Sequence, residues 1–149
     1  MTATARKLRI GEVAERLRTT PRTIRYYEEI GLLPAREDRV DGAQRCYAES
    51  EVERIAEILR LKELLGLSLE AMRGMLEAED ARRLLRERFE RSDDAREQAA
   101  ILTDALGHIE HQLGLVTERR RQLLRLEHEL EDKRVRVREV LNELKERAT

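Results

Sequence analysis

Three groups of residues in this 149-residue chain have types and spacings that could do chemistry. The first is Thr20-Pro21-Arg22-Thr23-Ile24-Arg25-Tyr26-Tyr27, where two arginines and two hydroxyl-bearing aromatics crowd one short stretch. Arginine donates in a fork that matches phosphate oxygens and the O6/N7 edge of guanine, and threonine and tyrosine hydroxyls reach phosphates. The second group, Arg36, Arg39 and Arg45 with Cys46 and Tyr47, surrounds an Asp41-Gly42 pair. The third is His108, Glu110 and His111.

Each group has a plainer reading. His108 and His111 are three apart and could share an ion. Heptad counting, however, sets both on the outer flank of an apolar seam through Leu106 and Ile109, so they read as solvated polar residues and no metal is expected. Cys46 reads as a small strand residue, since no second cysteine exists to resolve an oxidised form. One cysteine also excludes a disulfide framework or a thiolate metal centre within one chain. No nucleophile, base and orienting group fall into a catalytic pattern, so no enzyme and no cofactor are expected.

The arginines weigh more because of where the charge lies. The net charge is −1, with Lys/Arg and Asp/Glu nearly balanced. Residues 1–47 nevertheless hold ten Lys/Arg against seven Asp/Glu, and all the cations there except Lys7 are arginine. A basic first third on an acidic remainder points to a local polyanion contact. Charged residues at 41% with aromatics at 3% suit long, partly solvated helices more than a large core. The start of the chain has no apolar run of signal-peptide length, and no segment has the ~20 apolar residues of a membrane span, so the expected location is cytoplasmic.

The elements must hold these groups in place. Ile10, Val13, Ala14 and Leu17 mark one face of a short helix. Thr20 caps a second helix with Pro21 at its first position, Ile24 and Tyr27 share its inner face, and Gly31 ends it. Two short helices on a tight turn make a helix-turn-helix. Leu33–Tyr47 reads as a basic hairpin, a wing, turning at Asp41-Gly42. Ser50 with Glu53 reads as the cap of a third helix whose inner face is Val52, Ile55, Ala56, Leu59 and Leu64, with Gly66 as its end. Ser68 caps a fourth helix carrying Met72, Met75 and Leu76. Residues 1–7 read as a frayed tail.

Beyond Ser92-Asp93-Asp94, a loop or a fresh cap, an apolar residue recurs every seventh position: Leu102, Ile109, Val116, Leu123, Leu130, Val137 and Leu144. Leu106, Leu113 and Leu141 accompany them, with Arg120, Glu127 and Arg134 between. This is a coiled-coil seam with a polar insert. One long helix with a single apolar stripe needs a partner, and a second copy is the simplest. Antiparallel pairing lets the insert's arginines face its glutamate, whereas parallel pairing sets Arg120 against Arg120. Gly107 and Gly114 leave two options, a continuous helix with close approach there or a break; the continuous helix is preferred.

These residues together resemble a known family. The strings IGEVAERL, TPRTIRYYEEIGLLP and RCYAESEVERIAEILRLKELLGLSLEAMRGML, followed by a long helix, are similar to the MerR family of transcriptional regulators. The likeness is dense over 8–77 and architectural beyond. It implies a mainly α fold: an N-terminal winged helix-turn-helix with a small β-hairpin wing, then a long C-terminal antiparallel coiled-coil helix. The expected domains are a DNA-binding domain over 8–79, a connecting helix or linker over 80–92 and a dimerisation helix over 93–147. The implied partners are double-stranded DNA, a second copy, RNA polymerase at the promoter and an unidentified small-molecule effector. The implied mechanism is bending and untwisting of a pseudo-palindromic operator. By position in the motif, the DNA-contact candidates are Thr20, Arg22, Thr23, Arg25, Tyr26, Tyr27, Arg36, Arg39, Arg45, Tyr47 and Lys62. For Tyr27 a core role, and for Tyr47 strand packing, stands beside the contact role. An excisionase-like DNA bender and a scaffold without DNA are the rival readings. The first has no use for a fixed dimer, and the second leaves the arginines unexplained.

Overall fold

The computed structural model describes residues 6–33 and 46–149. Among the described residues two strands and five helices follow in the order β1 (Leu8–Arg9), α1 (Ile10–Arg16), α2 (Pro21–Glu29), β2 (Cys46–Tyr47), α3 (Glu49–Leu65), α4 (Leu69–Arg91) and α5 (Ala95–Arg147). The chain divides into two compact units, Met1–Glu77 and Ala78–Thr149. The expected mainly α fold with a long C-terminal helix is what the chain adopts.

In the first unit α1 and α2 form the helix-turn-helix. Thr20 has extended backbone angles and its Oγ1 accepts the Thr23 N–H at 3.2 Å, satisfying a donor the helix cannot. Pro21 follows at a position that needs no N–H. Past the C-cap Ile30, Gly31 takes φ +77, a conformation open to glycine at little cost. The Arg73 guanidinium, from α4, donates to the Ile30 carbonyl, one of the orphan acceptors at this helix end. α2 is thus fixed at both ends.

β1 lies where the sequence reading had only the approach to a helix. Leu8 pairs with Tyr47 and Arg9 with Cys46 in an antiparallel ladder, so the segment just before α3 returns to the one just before α1. The Asp41-Gly42 hairpin turn and Arg36, Arg39 and Arg45 lie outside the described residues.

α3 departs from expectation in two ways. Ser50 is not its cap: the helix starts at Glu49, with Ala48 as N-cap. Alanine has no side chain to accept a bond, so only half of the reciprocal box forms, with Glu51 Oε2 accepting the Ala48 N–H at 3.0 Å. Tyr47 is already pinned in the ladder, and Arg16 grips Glu49 through two bonds of 2.8 and 3.1 Å, which brings the helix start forward. The pair raises the Arg16 pKa, and the Arg16 hydrogen bond holds the Glu49 carboxyl below its ordinary range. The buried face also differs. Ile58 and Leu61 join Val52 and Ile55 in the core, Ala56 and Leu59 are half-buried, and Leu64 is 66% exposed. The core holds residues from both earlier and later elements, among them Ile24, Leu32, Met72 and Leu76, so α3 buries a broad arc rather than a narrow stripe. Gly66 ends it with left-handed angles. Ser68 Oγ accepts the Ala71 N–H at the start of α4, as expected.

In the second unit α4 reaches Arg91 without a break and a three-residue turn leads into α5. The turn is built from side chains: Asp94 Oδ1 accepts the Arg96 N–H at 3.0 Å, Ser92 Oγ donates to Glu97 at 2.7 Å, and Gln98 Nε2 donates to the Ser92 carbonyl at 2.7 Å. Leu85 and Ile101 are buried here, and Arg82 Nη1 donates to Gln112 Oε1 at 3.4 Å. α5 has 53 residues, about 80 Å at ~1.5 Å per residue. Gly107 and Gly114 do not interrupt it, and a Cβ at either would meet nothing within 4 Å in this chain.

Candidate nucleic-acid interface

α2 presents two different faces. Ile24 and Tyr27, three apart, are buried at 0% and 2% exposure. Arg22, Arg25 and Tyr26 lie on the opposite side and are exposed, with Tyr26 at 51%. The two tyrosine rings are tilted by 48° with centroids 6.0 Å apart, so they divide between surface and core. A helix anchored by its inner face and capped at both ends offers arginines at fixed spacing, which is what reading base edges requires.

The threonines serve the helix first. Thr20 Oγ1 takes the Thr23 N–H and lies 3.0 Å from Thr23 Oγ1, so the two hydroxyls hold each other at the N-terminus. Both remain near the positive end of α2, where backbone N–H groups favour an anion. Lys62, on α3, is exposed, and its ammonium sits 5.9 Å from the Tyr27 ring centroid. It shares with Tyr26, Tyr27, Leu32 and Met72 the wall of a small pocket of about 160 Å³.

Two contact candidates sit in the core instead. Tyr27 is enclosed and its hydroxyl has no hydrogen-bond partner. Its position three after Ile24 carries it inward, so its place supports the core alternative. Tyr47 is 2% exposed and its hydroxyl donates to Glu28 Oε1 at 2.5 Å, tying β2 to α2. Ladder pairing with Leu8 directs this side chain at the core, the packing alternative for this residue. Neither hydroxyl is open to a phosphate. Missed altogether was Arg73, whose link to α2 spans 43 positions and has no local signal.

On α5 the seven-residue column is bare in the single chain: Leu102, Leu123, Leu130, Val137 and Leu144 are exposed, as are Leu106, Leu113 and Leu141, while Ile109 and Val116 are half-buried. The sequence reading, which sought companions four residues after each column member, overlooked Leu126 and Val140, equally exposed and three residues after Leu123 and Val137. His108 and His111 lie on the same helix, and among the described residues no group of three His, Cys, Asp or Glu could hold a metal ion. Between α4 and α5 runs an apolar groove of about 250 Å³, lined by Leu85, Phe89, Ile101, Leu102 and Ile109 with Arg82 at its rim. Among the described residues no helix is long and apolar enough to cross a membrane.

Residues 8–79 match the model of the MerR HTH family regulatory protein. The chain is 38% identical over 112 residues to the HTH-type transcriptional regulator YfmP of Bacillus subtilis (strain 168), covering 75% of this chain and 79% of that one. It is 34% identical over 121 residues to the HTH-type transcriptional regulator HmrR of Rhizobium leguminosarum bv. viciae, covering 81% and 84%. Among solved structures it is similar to HiNmlR, a MerR family regulator lacking the sensor domain, bound to promoter DNA. That likeness has 21% identity over 84% of this chain and 88% of the other, at a TM-score of 0.42, too loose to place any residue.

Proposed function

The chain belongs to the MerR family of DNA-binding transcriptional regulators, whose members are not enzymes, and we propose that it acts as a homodimer on a pseudo-palindromic promoter operator. In this reading Arg22 and Arg25 enter the major groove from α2, with Arg25 on a base edge, and Tyr26 donates its hydroxyl to a phosphate. Thr20, Thr23 and Lys62 support the backbone contacts, and Arg36, Arg39 and Arg45 of the wing add phosphate contacts. The observation that carries the reading is the division of α2 into a core face at Ile24 and Tyr27 and a fixed, solvent-facing row of Arg22, Arg25 and Tyr26.

The bare seam of α5 supplies the dimer. A dimer whose heads are held at fixed spacing can bend and untwist the DNA between half-sites, a distortion of a few kcal/mol offset by phosphate contacts. RNA polymerase then engages the reshaped promoter.

The test is genome-wide binding followed by sequencing of bound DNA, with a bending assay on the recovered site. The expected result is an inverted repeat lying inside a promoter, with DNA bent in the complex. Binding scattered without a shared motif refutes the regulator reading, and a motif bound without bending refutes the mechanism alone.

A further inference from the structure

Past its middle, the apolar stripe of α5 extends to a second side. In the first half the companions of the seven-residue column follow it by four: Leu106 after Leu102, Leu113 after Ile109. In the second half companions also follow it by three, Leu126 after Leu123 and Val140 after Val137, with Leu141 still four after Val137. The chemistry of a single helix gives no cause for this added side. A twofold axis does, because an antiparallel partner reads the same pattern from the opposite end.

We propose that a second copy of this chain pairs with α5 antiparallel, with the twofold axis at Leu123. This rests on the homodimer reading above and specifies its register. With that centre, positions equidistant from Leu123 face each other: Leu102 and the second copy's Leu144, Leu106 and its Val140, Ile109 and its Val137, Val116 and its Leu130. Only two layers are mixed. Leu113 meets Lys133 and Leu126 meets Arg120, long side chains whose methylenes cover an apolar neighbour while the charge reaches water. Glu127 and Arg134 leave the seam and become its flank, so only Arg120 of the polar insert stays in this seam.

Charge agrees with the same centre. In an antiparallel pair the flanking positions meet like to like. Glu110 comes beside the second copy's Arg134 and Arg119 beside its Glu129, each twice by symmetry, with no like-charge pair among them. A pairing confined to Leu102–Val116, centred between Ile109 and Leu113, sets Glu110 against Glu110. It also leaves Leu123, Leu126, Leu130, Val137, Val140 and Leu144 bare. Register follows the arrangement that covers the apolar face and pairs the charges. Leu144 of the second copy then lies over Leu102, at the wall of the α4–α5 groove, and closes it.

The experiment is pulsed dipolar spectroscopy on the full chain with Cys46→Ser and a nitroxide at Arg138→Cys, or separately at His111→Cys, both on the outer side of α5. At ~1.5 Å per residue, the proposed centre sets the Arg138→Cys labels about 45 Å apart and the His111→Cys labels about 35 Å apart. A centre near residue 111 instead gives about 80 Å and about 10 Å, and a parallel dimer gives about 10 Å for both. Either pattern overturns the register while leaving the homodimer intact. A monomer by sedimentation with no dipolar modulation overturns the homodimer reading itself.

Discussion

Replacing Tyr27 by phenylalanine tests the division of α2 directly. The residue is 2% exposed and its hydroxyl has neither water access nor a hydrogen-bond partner. A buried hydroxyl left unpaired costs ~1–3 kcal/mol relative to water. The ring supplies the packing against the core around Ile24, so deleting one oxygen removes the penalty and opens almost no cavity. Tyr27→Phe is therefore expected to raise stability by about 1 kcal/mol, or ~4–8 °C in Tm for a domain of this size. Urea unfolding followed by circular dichroism at the helix band measures it. Operator affinity is expected to stay within about twofold, because an enclosed hydroxyl is not reaching a phosphate, whereas Tyr26→Phe at the exposed neighbour is expected to lose ~1–3 kcal/mol of a charge-assisted bond. A Tyr27→Phe variant that loses more than about 0.5 kcal/mol of stability has lost a real partner, and the core assignment of the hydroxyl is then wrong.

Arg25→Ala should weaken specific operator binding by ~1–3 kcal/mol and relax base preference at one position, measured by titration against a panel of operator variants; an unchanged affinity removes its assigned role. Leu123→Asp with Leu130→Asp should convert the proposed dimer to a monomer in sedimentation equilibrium, since the carboxylate at 123 would then face its own symmetry copy and the one at 130 the apolar Val116; a persisting dimer rules out the seam. Gly107→Ala and Gly114→Ala should each stabilise α5 by about 1 kcal/mol if the space around them stays open in the assembled protein, as read from thermal unfolding; a loss of stability would reveal a close neighbour at those positions. The Arg16–Glu49 link carries a pH signature. The Glu49 carboxyl is held below its ordinary value of 4.5 by the Arg16 hydrogen bond, so its contribution is full above that value and fades as pH falls through the lowered one. The difference in urea midpoint between the native chain and Glu49→Gln should shrink as pH drops below the carboxylate range; a gap that holds constant would mean the charge plays no part.

The sequence by itself determined the features whose physics is local. Thr20 capping before Pro21, Gly31 and Gly66 at helix ends, and Ser68 at the start of α4 each depend on a few neighbouring residues. The three-residue spacing of Ile24 and Tyr27 likewise set the inner face of α2, and the column from Leu102 to Leu144 favoured a continuous helix over a break at Gly107 and Gly114. Tertiary structure decided what depends on distant partners. Tyr47 faces the core because Leu8, 39 positions earlier, pairs with it. α3 begins at Glu49 because that ladder and Arg16 hold its start, which outweighs the better capping chemistry of Ser50. Its buried arc widened to Ile58 and Leu61 because core residues from both earlier and later elements gather around it. Arg73 reaches the end of α2 only once α4 is packed nearby. Period and cap are written in adjacent residues, whereas burial and ion-pair partners exist only after the chain has closed on itself.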